Sequence, residues 1–465
     1  MQAQDPALLS AEAMLDAYAS TRLSPVDVLQ AVTERVARRN PALNAFVAMN
    51  PRALDAAGES AMRWRAGRPI GPLDGVPVTV KDLVDVAGFP TRRGSLLTDP
   101  APVADDAPMV MGLKAAGAVI LGKTTTTEFG WKSPGDCPHT GITRNPWNPA
   151  RTTGGSSSGA GAAGAAGFGP LHIGTDAGGS VRIPAAWCGL VGLKPSYGRI
   201  PQWPAGAFAA VACAGPMTRS VRDAALMLSA MARFDPRDPF CLPDDARDWR
   251  DGIEDGVAGL RIGVLTRPGF DAPADADAIA AVERAAALLA EAGAEVEAAE
   301  AALPDTRLTF SRIWAAALAR LARSFPADKR GALDPGLLAV AEGAAGLPAE
   351  AVLEADALRA AAGNAMGRFH LRYDLLLCPT VPAGPPLADV APEDPAEALW
   401  REWAPWTFTF NLTRQPAISV PMGLRADGMP NSVQLAAAQY RDDLTLRAAR
   451  ALERAAPFPE VPDLA

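Results

Sequence analysis

The chain has 465 residues, of which 49% are hydrophobic and 21% are charged. This composition is typical of a globular protein with a large core, and the length suits one large domain or two to three ordinary ones. The net charge of −8 and the pI near 5.2 argue against a nucleic-acid-binding surface, which needs a basic patch. No run of about 18 apolar residues is free of charges, glycine or proline, so we expect no membrane-spanning helix.

The cysteines and the first residues indicate the compartment. No CxxC pair occurs, and the odd, scattered set of cysteines favours reduced thiols over a disulfide framework. The opening residues have neither a basic segment nor a long apolar run, so we expect no signal peptide. Together these features predict a cytoplasmic protein. The five cysteines are Cys137, Cys188, Cys213, Cys241 and Cys378.

In chain order, the first part is predicted to be helical from Leu8 to about Val47, with Ser24-Pro25 as a helix start. The apolar run from Val76 to Val80 then predicts a buried strand that ends in Lys81. Alternating segments follow. Helices are predicted at 105–117, 160–166, 278–292, 305–365 and 444–455, and strands at 118–121, 171–173, 187–193, 260–265, 295–296, 375–377, 417–420 and 432–435.

Alternation of strands and helices over the whole chain predicts an α/β fold with a sheet covered by helices on both faces. The segment 236–252 is polar, charged and rich in proline. It is either a linker or a long surface loop.

Three glycine-containing patterns resemble ligand or catalytic motifs but lack the expected context. Gly117–Thr124 fits a phosphate loop, yet its intervening residues are apolar and suit a strand. Gly159–Gly164 fits a dinucleotide fingerprint, yet no apolar strand precedes it. Gly155–Gly159 fits a nucleophile elbow around Ser157, and both His172 and His370 follow in chain order. His172, however, lies in an apolar run that favours a core position. Nucleotide binding through the first pattern remains an alternative function outside the enzymes.

A fourth pattern combines separate pieces of the chain. Ser180 follows consecutive glycines, and N–H groups in such a turn can stabilise an oxyanion. A serine hydroxyl is a weak nucleophile without a base. Lys81 is a candidate base because burial disfavours the ammonium form, and Ser156 is a candidate relay. Alternatively, Lys81 forms an ion pair with Asp82 or extends to the surface, and the residues alone do not decide between these roles.

Taken together, three motifs in order resemble the amidase signature family. They are Gly75–Asp82, the Gly154–Ser157 cluster and Gly174–Arg182, and the 24-residue step from Ser156 to Ser180 matches the family spacing. Further familiar segments extend the resemblance over nearly the whole chain. These are 40–46, 188–195, 378–380 and 416–421.

The resemblance implies a Ser–cis-Ser–Lys triad. Ser180 would be the nucleophile that forms an acyl-enzyme, Ser156 the relay after a cis peptide bond, and Lys81 the base. The backbone N–H groups of Ala177, Gly178 and Gly179, with that of Ser180, would form the oxyanion hole. The residues that would hold the loop in place are Ser157, Thr175, Asp176 and Arg182.

The resemblance also implies one α/β/α domain with a large mixed sheet, extending over 1–465, and neither a metal nor a cofactor. We divide this domain into N-terminal helices at about 8–65, a signature core at about 66–235, a loop or linker at 236–259 and a C-terminal α/β part at 260–465. The expected partner is a small-molecule amide, with no nucleic acid and no membrane. Family analogy allows a homodimer.

The resemblance predicts an amidase acting on a small apolar or aryl amide, with esters or carbamates as further candidates. The alternative is the glutaminase subunit of a tRNA-dependent amidotransferase. Those subunits commonly have glutamine after the motif arginine, whereas Ile183 follows Arg182 here. Ser158 also stands where the family usually has glycine. Five aromatic residues are candidates for the pocket wall, although core packing is the more common role: Trp131, Trp203, Trp406, Phe408 and Phe410.

Overall fold

Strands occur along the chain from residue 46 to residue 437. The computed structural model describes residues 5–267, 270, 272–390, 404–458 and 461–462. In this part the strands are β1 (Phe46–Met49), β2 (Pro77–Lys81), β3 (Val119–Thr124), β4 (Asp136–Cys137), β5 (Gly141–Ile142), β6 (Arg144–Asn145), β7 (Asn148–Thr152), β8 (Leu171–Asp176), β9 (Val191–Lys194), β10 (Cys213–Thr218), β11 (Arg261–Val264), β12 (Glu295–Ala298), β13 (Leu375–Pro379), β14 (Ala417–Leu424) and β15 (Pro430–Ala437).

Helices fill most of the connections between these strands. Short 3-10 helices occur at Pro6–Leu8, Glu128–Gly130 and Ala327–Ala332. The α-helices are α1 (Ala11–Ala19), α2 (Pro25–Leu43), α3 (Ala53–Arg65), α4 (Pro108–Ala115), α5 (Ser158–Ala165), α6 (Arg182–Cys188), α7 (Val221–Met231), α8 (Ala276–Glu291), α9 (Thr306–Arg323), α10 (Pro335–Gly343), α11 (Ala349–Phe369), α12 (Phe408–Leu412) and α13 (Asp442–Ala455).

Eleven strands form one mixed sheet in the order β1-β3-β2-β8-β10-β9-β14-β15-β13-β11-β12. The pairs β3–β2, β2–β8, β13–β11 and β11–β12 are parallel, and the others are antiparallel. Strands from before and after residue 236 thus belong to the same sheet. The fold is a single α/β domain, as the sequence predicted.

Side chains of β13 alternate between two hydrophobic clusters, which shows that helices cover both faces. Leu375 and Leu377 belong to the cluster that contains residues of α7, α8 and α13. Leu376 and Cys378 belong to another cluster, with residues of α11 and α12. Successive side chains of a strand point to opposite faces, so the two clusters lie on opposite sides of the sheet.

Most predicted elements are present, with two differences. The segment 187–193, predicted as a strand, instead contains the end of α6 and the start of β9. Gly189 separates the two with a left-handed φ of 69° at the helix C-terminus. The predicted first helical region is interrupted, because Phe46–Met49 forms the edge strand β1. Ser24 caps α2 in a capping box with Asp27, as its sequence indicated.

The polar segment 236–259 contains no helix or strand. It packs against the rest of the domain, because Trp249 is only 3% exposed and belongs to the main hydrophobic cluster. Leu242 also donates its N–H to the carbonyl of Gly198 at 2.9 Å. The segment is therefore joined to the domain by both apolar and polar contacts.

Candidate active site

Two adjacent parallel strands bring the candidate base to the nucleophile loop. Lys81 is the last residue of β2, and Asp176 is the last residue of β8. The two strands pair with Val80 opposite Ile173. The carboxyl ends of parallel strands meet at the same edge of a sheet, where α/β proteins commonly bind ligands. The loop after β8 carries Ser180 and therefore lies beside Lys81.

The amine of Lys81 lies among hydroxyl groups. Its Nζ is 2.7 Å from Ser156 Oγ, 2.9 Å from Ser157 Oγ and 2.9 Å from Thr175 Oγ1. The carbonyl of Thr175 is 3.3 Å away. The side chain is fully buried. The predicted base and relay are thus in direct contact.

Lys81 does not pair with Asp82, which was one alternative from the sequence. Asp82 instead forms an ion pair with Lys123 at 3.0 Å. Among the described residues, no carboxylate forms a salt bridge with Lys81. Burial lowers the pKa of Lys81 well below its usual value, and the charge of Asp176 opposes this only in part. A neutral amine is therefore favoured in this environment.

The hydrogen bonds around Lys81 leave two hydroxyl protons that its amine can accept, those of Ser156 and Thr175. The hydroxyl of Ser157 donates to the carbonyl of Thr175 at 3.2 Å and accepts the Thr175 N–H at 3.2 Å. A neutral amine has two protons to donate and one lone pair to accept. With the Ser157 proton engaged, the hydroxyl of Ser156 can donate to that lone pair. Ser156 and Lys81 are thus positioned for proton exchange.

The peptide bond between Gly155 and Ser156 is cis. Glycines surround this segment because there is no room for side chains. A Cβ on Gly155 would lie 2.9 Å from the carbonyl oxygen of Ser133, and one on Gly154 would lie 2.7 Å from the ring of Trp187. Gly130 has a φ of 77°, and a Cβ there would lie 3.2 Å from Ser156 Oγ. The relay hydroxyl is therefore approached closely by backbone.

A buried ion pair holds the nucleophile loop. Arg182 donates to both carboxylate oxygens of Asp176, at 2.9 and 3.0 Å, and both side chains are fully buried. Burial alone would raise the pKa of Asp176, but the charge and hydrogen bonds of Arg182 outweigh it and lower that pKa to about 2. Arg182 also donates to the side-chain oxygens of Gln434 and Asn411, both at 2.7 Å. The loop is thus anchored to β15 and α12.

The loop also leaves some N–H groups free. Within the described residues, no hydrogen bond is made by the N–H groups of Ala177, Gly178 or Ser180. The N–H of Gly179, which the sequence predicted as an oxyanion donor, instead donates to Asp176 Oδ1 at 2.7 Å. Because the Asp176 carboxylate already accepts this N–H, Gly179 differs from the three residues whose N–H groups are free.

Gly179 has a conformational role that its neighbours lack. Its φ is 132°, and a Cβ there would lie 2.3 Å from Thr407 Oγ1. The hydroxyl of Thr407 donates to the carbonyl of Gly178 at 2.6 Å. This bond fixes the orientation of the peptide group between Gly178 and Gly179. Thr407, Asn411 and Gln434 support the loop from more than 220 residues away in the sequence, and no local pattern in the sequence indicates them.

A cavity of about 400 Å³ opens onto these groups. Ser156, Ser180 and Ala177 contribute to its lining, so both serines face the same space. Of the five aromatic residues suggested by the sequence, Trp203 lines the cavity and the other four do not. Three aromatic residues in its wall were missed by the sequence analysis: Phe129, Phe208 and Phe325.

The other glycine patterns have structural explanations. Gly122, Lys123 and Thr124 lie inside β3, so they form no phosphate loop. Gly159 lies in α5, and a Cβ there would be 2.3 Å from the carbonyl oxygen of Ala45, which indicates close packing. His172 is fully buried, and burial lowers its pKa to about 3.

Among the described residues, no group of three or more histidine, cysteine, aspartate or glutamate residues is arranged to hold a metal ion. In the same part of the chain, none of the helices has the length and apolar character needed to cross a membrane.

Comparison with known proteins agrees with this site. A family model described as Amidase matches residues 27–446. The chain is 38% identical to an acylamidase of Rhodococcus erythropolis, covering 97% of this chain and 96% of the relative. It is 36% identical to a 6-aminohexanoate-cyclic-dimer hydrolase of Paenarthrobacter ureafaciens, with 96% and 95% covered. One subunit of the glutamyl-tRNA(Gln) amidotransferase of Symbiobacterium thermophilum is 34% identical, with 96% of each chain covered.

The fold comparison leads to the same family. The structure of a bacterial aryl acylamidase of the amidase signature enzymes superimposes with a TM-score of 0.89 and 28% identity, covering 97% of this chain and 96% of that one. The likeness therefore extends over nearly the whole chain and is not confined to the serine-rich segment. On the sequence match and the fold together, this chain belongs to the amidase signature family.

Proposed function

We propose that this chain hydrolyses small carboxylic amides that carry an aryl or apolar group, with esters and carbamates as further substrates. Relatives named acylamidase and aryl acylamidase support this substrate class. The mainly apolar wall of the cavity supports it as well, because such walls bind apolar groups and leave orientation to a few polar ones.

In the proposed reaction, Ser180 is the nucleophile. Its Oγ attacks the carbonyl carbon, and its proton passes to Ser156 as the Ser156 proton passes to Lys81. The carbon–oxygen bond forms while the carbonyl π electrons move to the oxygen. When the tetrahedral intermediate collapses, the carbon–nitrogen bond breaks and the same relay returns a proton to the leaving amine. Water then attacks the acyl-enzyme through the same groups and releases the acid.

The oxyanion is assigned to the backbone N–H groups of Ala177, Gly178 and Ser180. Donors fixed before the reaction stabilise developing charge without reorganisation, and losing one costs about 10²–10³ in kcat in serine hydrolases. Gly179 gives the turn its shape, and Asp176 with Arg182 keeps it in place. Ser157 and Thr175 orient the amine of Lys81 toward Ser156.

The observation that carries this proposal is the contact of a buried lysine with Ser156 at 2.7 Å. A lysine that remained charged would be expected to have a carboxylate partner, since an unpaired buried charge is costly. The lowered pKa of Lys81 instead supports a neutral base. No histidine is needed for the nucleophile, consistent with the core position of His172.

The test is to replace Ser180 by alanine and to measure para-nitroaniline release from an apolar anilide. We expect the Ser180→Ala variant to remain folded by circular dichroism and to lose turnover. Ser158→Ala is a matched control, because among the described residues its buried hydroxyl has no hydrogen-bond partner. Mass spectrometry after treatment with a sulfonyl fluoride should place the label on Ser180. Turnover by Ser180→Ala, or a label on Ser157, would overturn the assignment.

A second candidate is the glutaminase subunit of a tRNA-dependent amidotransferase, which the 34% identity to one such subunit favours. Ile183 argues against it, since the resemblance leads us to expect glutamine there. The two functions are separated by assaying the purified chain alone with glutamine and with aryl anilides. Activity confined to glutamine and dependent on a partner subunit would favour the second candidate.

We also propose that the enzyme works in the cytoplasm without a metal or cofactor, and that it forms a homodimer. All five cysteines are free thiols, which supports a reducing compartment. Sedimentation equilibrium tests the homodimer, and activity after dialysis against a chelator tests the independence from metal.

A further inference from the structure

Among the described residues, three charged side chains line the active-site cavity: Asp85, Arg93 and Arg320. Two of them neutralise each other. Arg93 forms an ion pair with Asp85 at 3.3 Å and also donates to the carbonyl of Leu83. The side chain of Arg320 makes no hydrogen bond or ion pair with any described residue. This lining therefore carries one uncompensated positive charge in a chain whose net charge is −8.

Arg320 belongs to the same wall as the reacting serines. It lies near the end of α9, and Leu321 and Phe325 beside it also line the cavity. The ring of Phe325 packs against that of Phe129, with centroids 5.7 Å apart. Phe129 precedes Gly130, which approaches Ser156 Oγ. A continuous wall thus leads from the guanidinium to the relay serine.

We infer that Arg320 is a specificity-determining residue that binds a carboxylate on the substrate, away from the scissile amide. This inference rests on the proposed amidase function and deepens it, since it names the class of substrate. A guanidinium presents paired N–H donors that match the two oxygens of a carboxylate. Among the described lining residues, Arg320 is the cation whose donors are free for a ligand. The apolar wall would contact the hydrocarbon segment of the substrate that joins its carboxylate to its amide.

The exposure of Arg320 determines how strongly its guanidinium attracts a substrate carboxylate. The side chain is exposed, so water and salt weaken its attraction for a carboxylate. Exposed ion pairs contribute little, while bidentate charge-assisted hydrogen bonds contribute more. We therefore expect loss of the guanidinium to raise KM for an anionic substrate roughly 2- to 5-fold.

The experiment compares para-nitroanilides of succinic, glutaric and adipic acid with their methyl esters at the far carboxyl. These pairs have the same length and differ in charge. A second arm uses butyryl amides of para-aminobenzoic acid and its methyl ester, which place the carboxylate on the amine side. The measured quantity is the ratio of kcat/KM for the anionic member of a pair to that for the neutral member.

We expect the wild type to prefer the anionic member in one of the two arms, and Arg320→Gln to lower that ratio through KM. Arg320→Glu should reverse the preference, and added NaCl should reduce it in the wild type. Arg323→Gln is the matched control on the same helix. Its guanidinium donates to the carbonyl of Ala319, and it does not line the cavity, so the ratio should stay that of the wild type.

The outcomes distinguish the two proposals. If the neutral esters are hydrolysed but Arg320→Gln and Arg320→Glu keep the wild-type ratio in both arms, Arg320 is only a cation in the last turn of α9 and the inference is wrong. If Arg323→Gln lowers the ratio equally, general surface charge explains the preference and the inference is again wrong. If no anilide of either charge is hydrolysed, the proposed function itself fails.

Discussion

The burial of Lys81 links catalysis to stability in a way that can be measured. Burial lowers the pKa of Lys81 well below its usual 10.5 in the native protein, whereas in the unfolded chain it titrates near that value. Between the two pKa values the unfolded state binds one more proton than the native state. The free energy of unfolding of the wild type therefore rises with pH in this interval and falls as the pH drops toward the native pKa.

We expect the substitution Lys81→Met to remove this dependence. One proton is worth about 1.36 kcal/mol per pH unit, so the titration of Lys81 should raise the free energy of unfolding by about that much for each pH unit between its native pKa and its usual value. Methionine cannot titrate. The free energy of unfolding of the variant relative to the wild type should therefore fall at this rate as the pH rises through the same interval. Lost hydrogen bonds to Ser156, Ser157 and Thr175 add a cost of about 1 kcal/mol each that does not depend on pH.

Urea denaturation followed by tryptophan fluorescence at several pH values gives the free energies. Ser156→Ala is the control, because it should lose activity while Lys81 remains buried and continues to titrate. Both variants should lose roughly 10²–10⁴ in kcat/KM, as expected for loss of proton transfer. A pH dependence of stability in Lys81→Met that is parallel to the wild type would mean that Lys81 is charged in the native protein. Its role as the base would then be refuted.

Three further predictions concern the same groups. The kcat/KM of the wild type should rise with pH through the lowered pKa of Lys81 and level off above it, and a rise with its midpoint near the usual value of 10.5 would contradict the neutral base. Gly179→Ala should lower kcat by roughly 10²–10³, because its Cβ would meet Thr407 Oγ1 and displace the oxyanion donors; steady-state kinetics that match the wild type would disprove this. Arg182→Lys should lower the free energy of unfolding by about 3–5 kcal/mol, measured in urea, because one amine cannot replace the fork that holds buried Asp176; an unchanged midpoint would count against the anchoring role.

The sequence predicted the family, the α/β fold and the amidase function, and these are confirmed. These predictions succeeded because short segments of the sequence have clear local patterns of apolar and polar residues. The run from Val76 to Val80 is apolar and leads directly to Lys81, so both the strand and the unusual position of the lysine are visible in the sequence. The roles of Lys81, Ser156 and Ser180 stay predictions, to which the structure adds the observed contacts.

Local sequence patterns did not predict the structure where it depends on the end of a helix or on a contact with a residue distant in the sequence. The segment 187–193 is apolar throughout and suits a strand, but Gly189 ends a helix in its middle. The occupation of the Gly179 N–H depends on the orientation of the Asp176 carboxylate, which Arg182 and Asn411 hold from different elements. Such orientations are set by tertiary packing and leave no periodic signal in the sequence.

Local sequence patterns also did not predict which aromatic residues line the cavity. Trp203 was one of five aromatic candidates and lines the wall, whereas Trp406 and Phe410 pack together in a core cluster. Hydrophobicity alone does not distinguish these positions, because core and cavity walls use the same residue types. Phe208 and Phe325 reach the wall from segments that the sequence analysis did not connect with the site.

A comparison of three buried lysines indicates what makes Lys81 suited to proton transfer. Burial lowers the pKa of Lys123 and of Lys194 as well as that of Lys81. Lys123 is paired with Asp82, which favours its charged form. Lys194 Nζ donates to the carbonyl of Pro195, which cannot give up a proton. Lys81 combines burial with a hydroxyl at 2.7 Å that faces the cavity, so the proton it can accept comes from the side of the substrate.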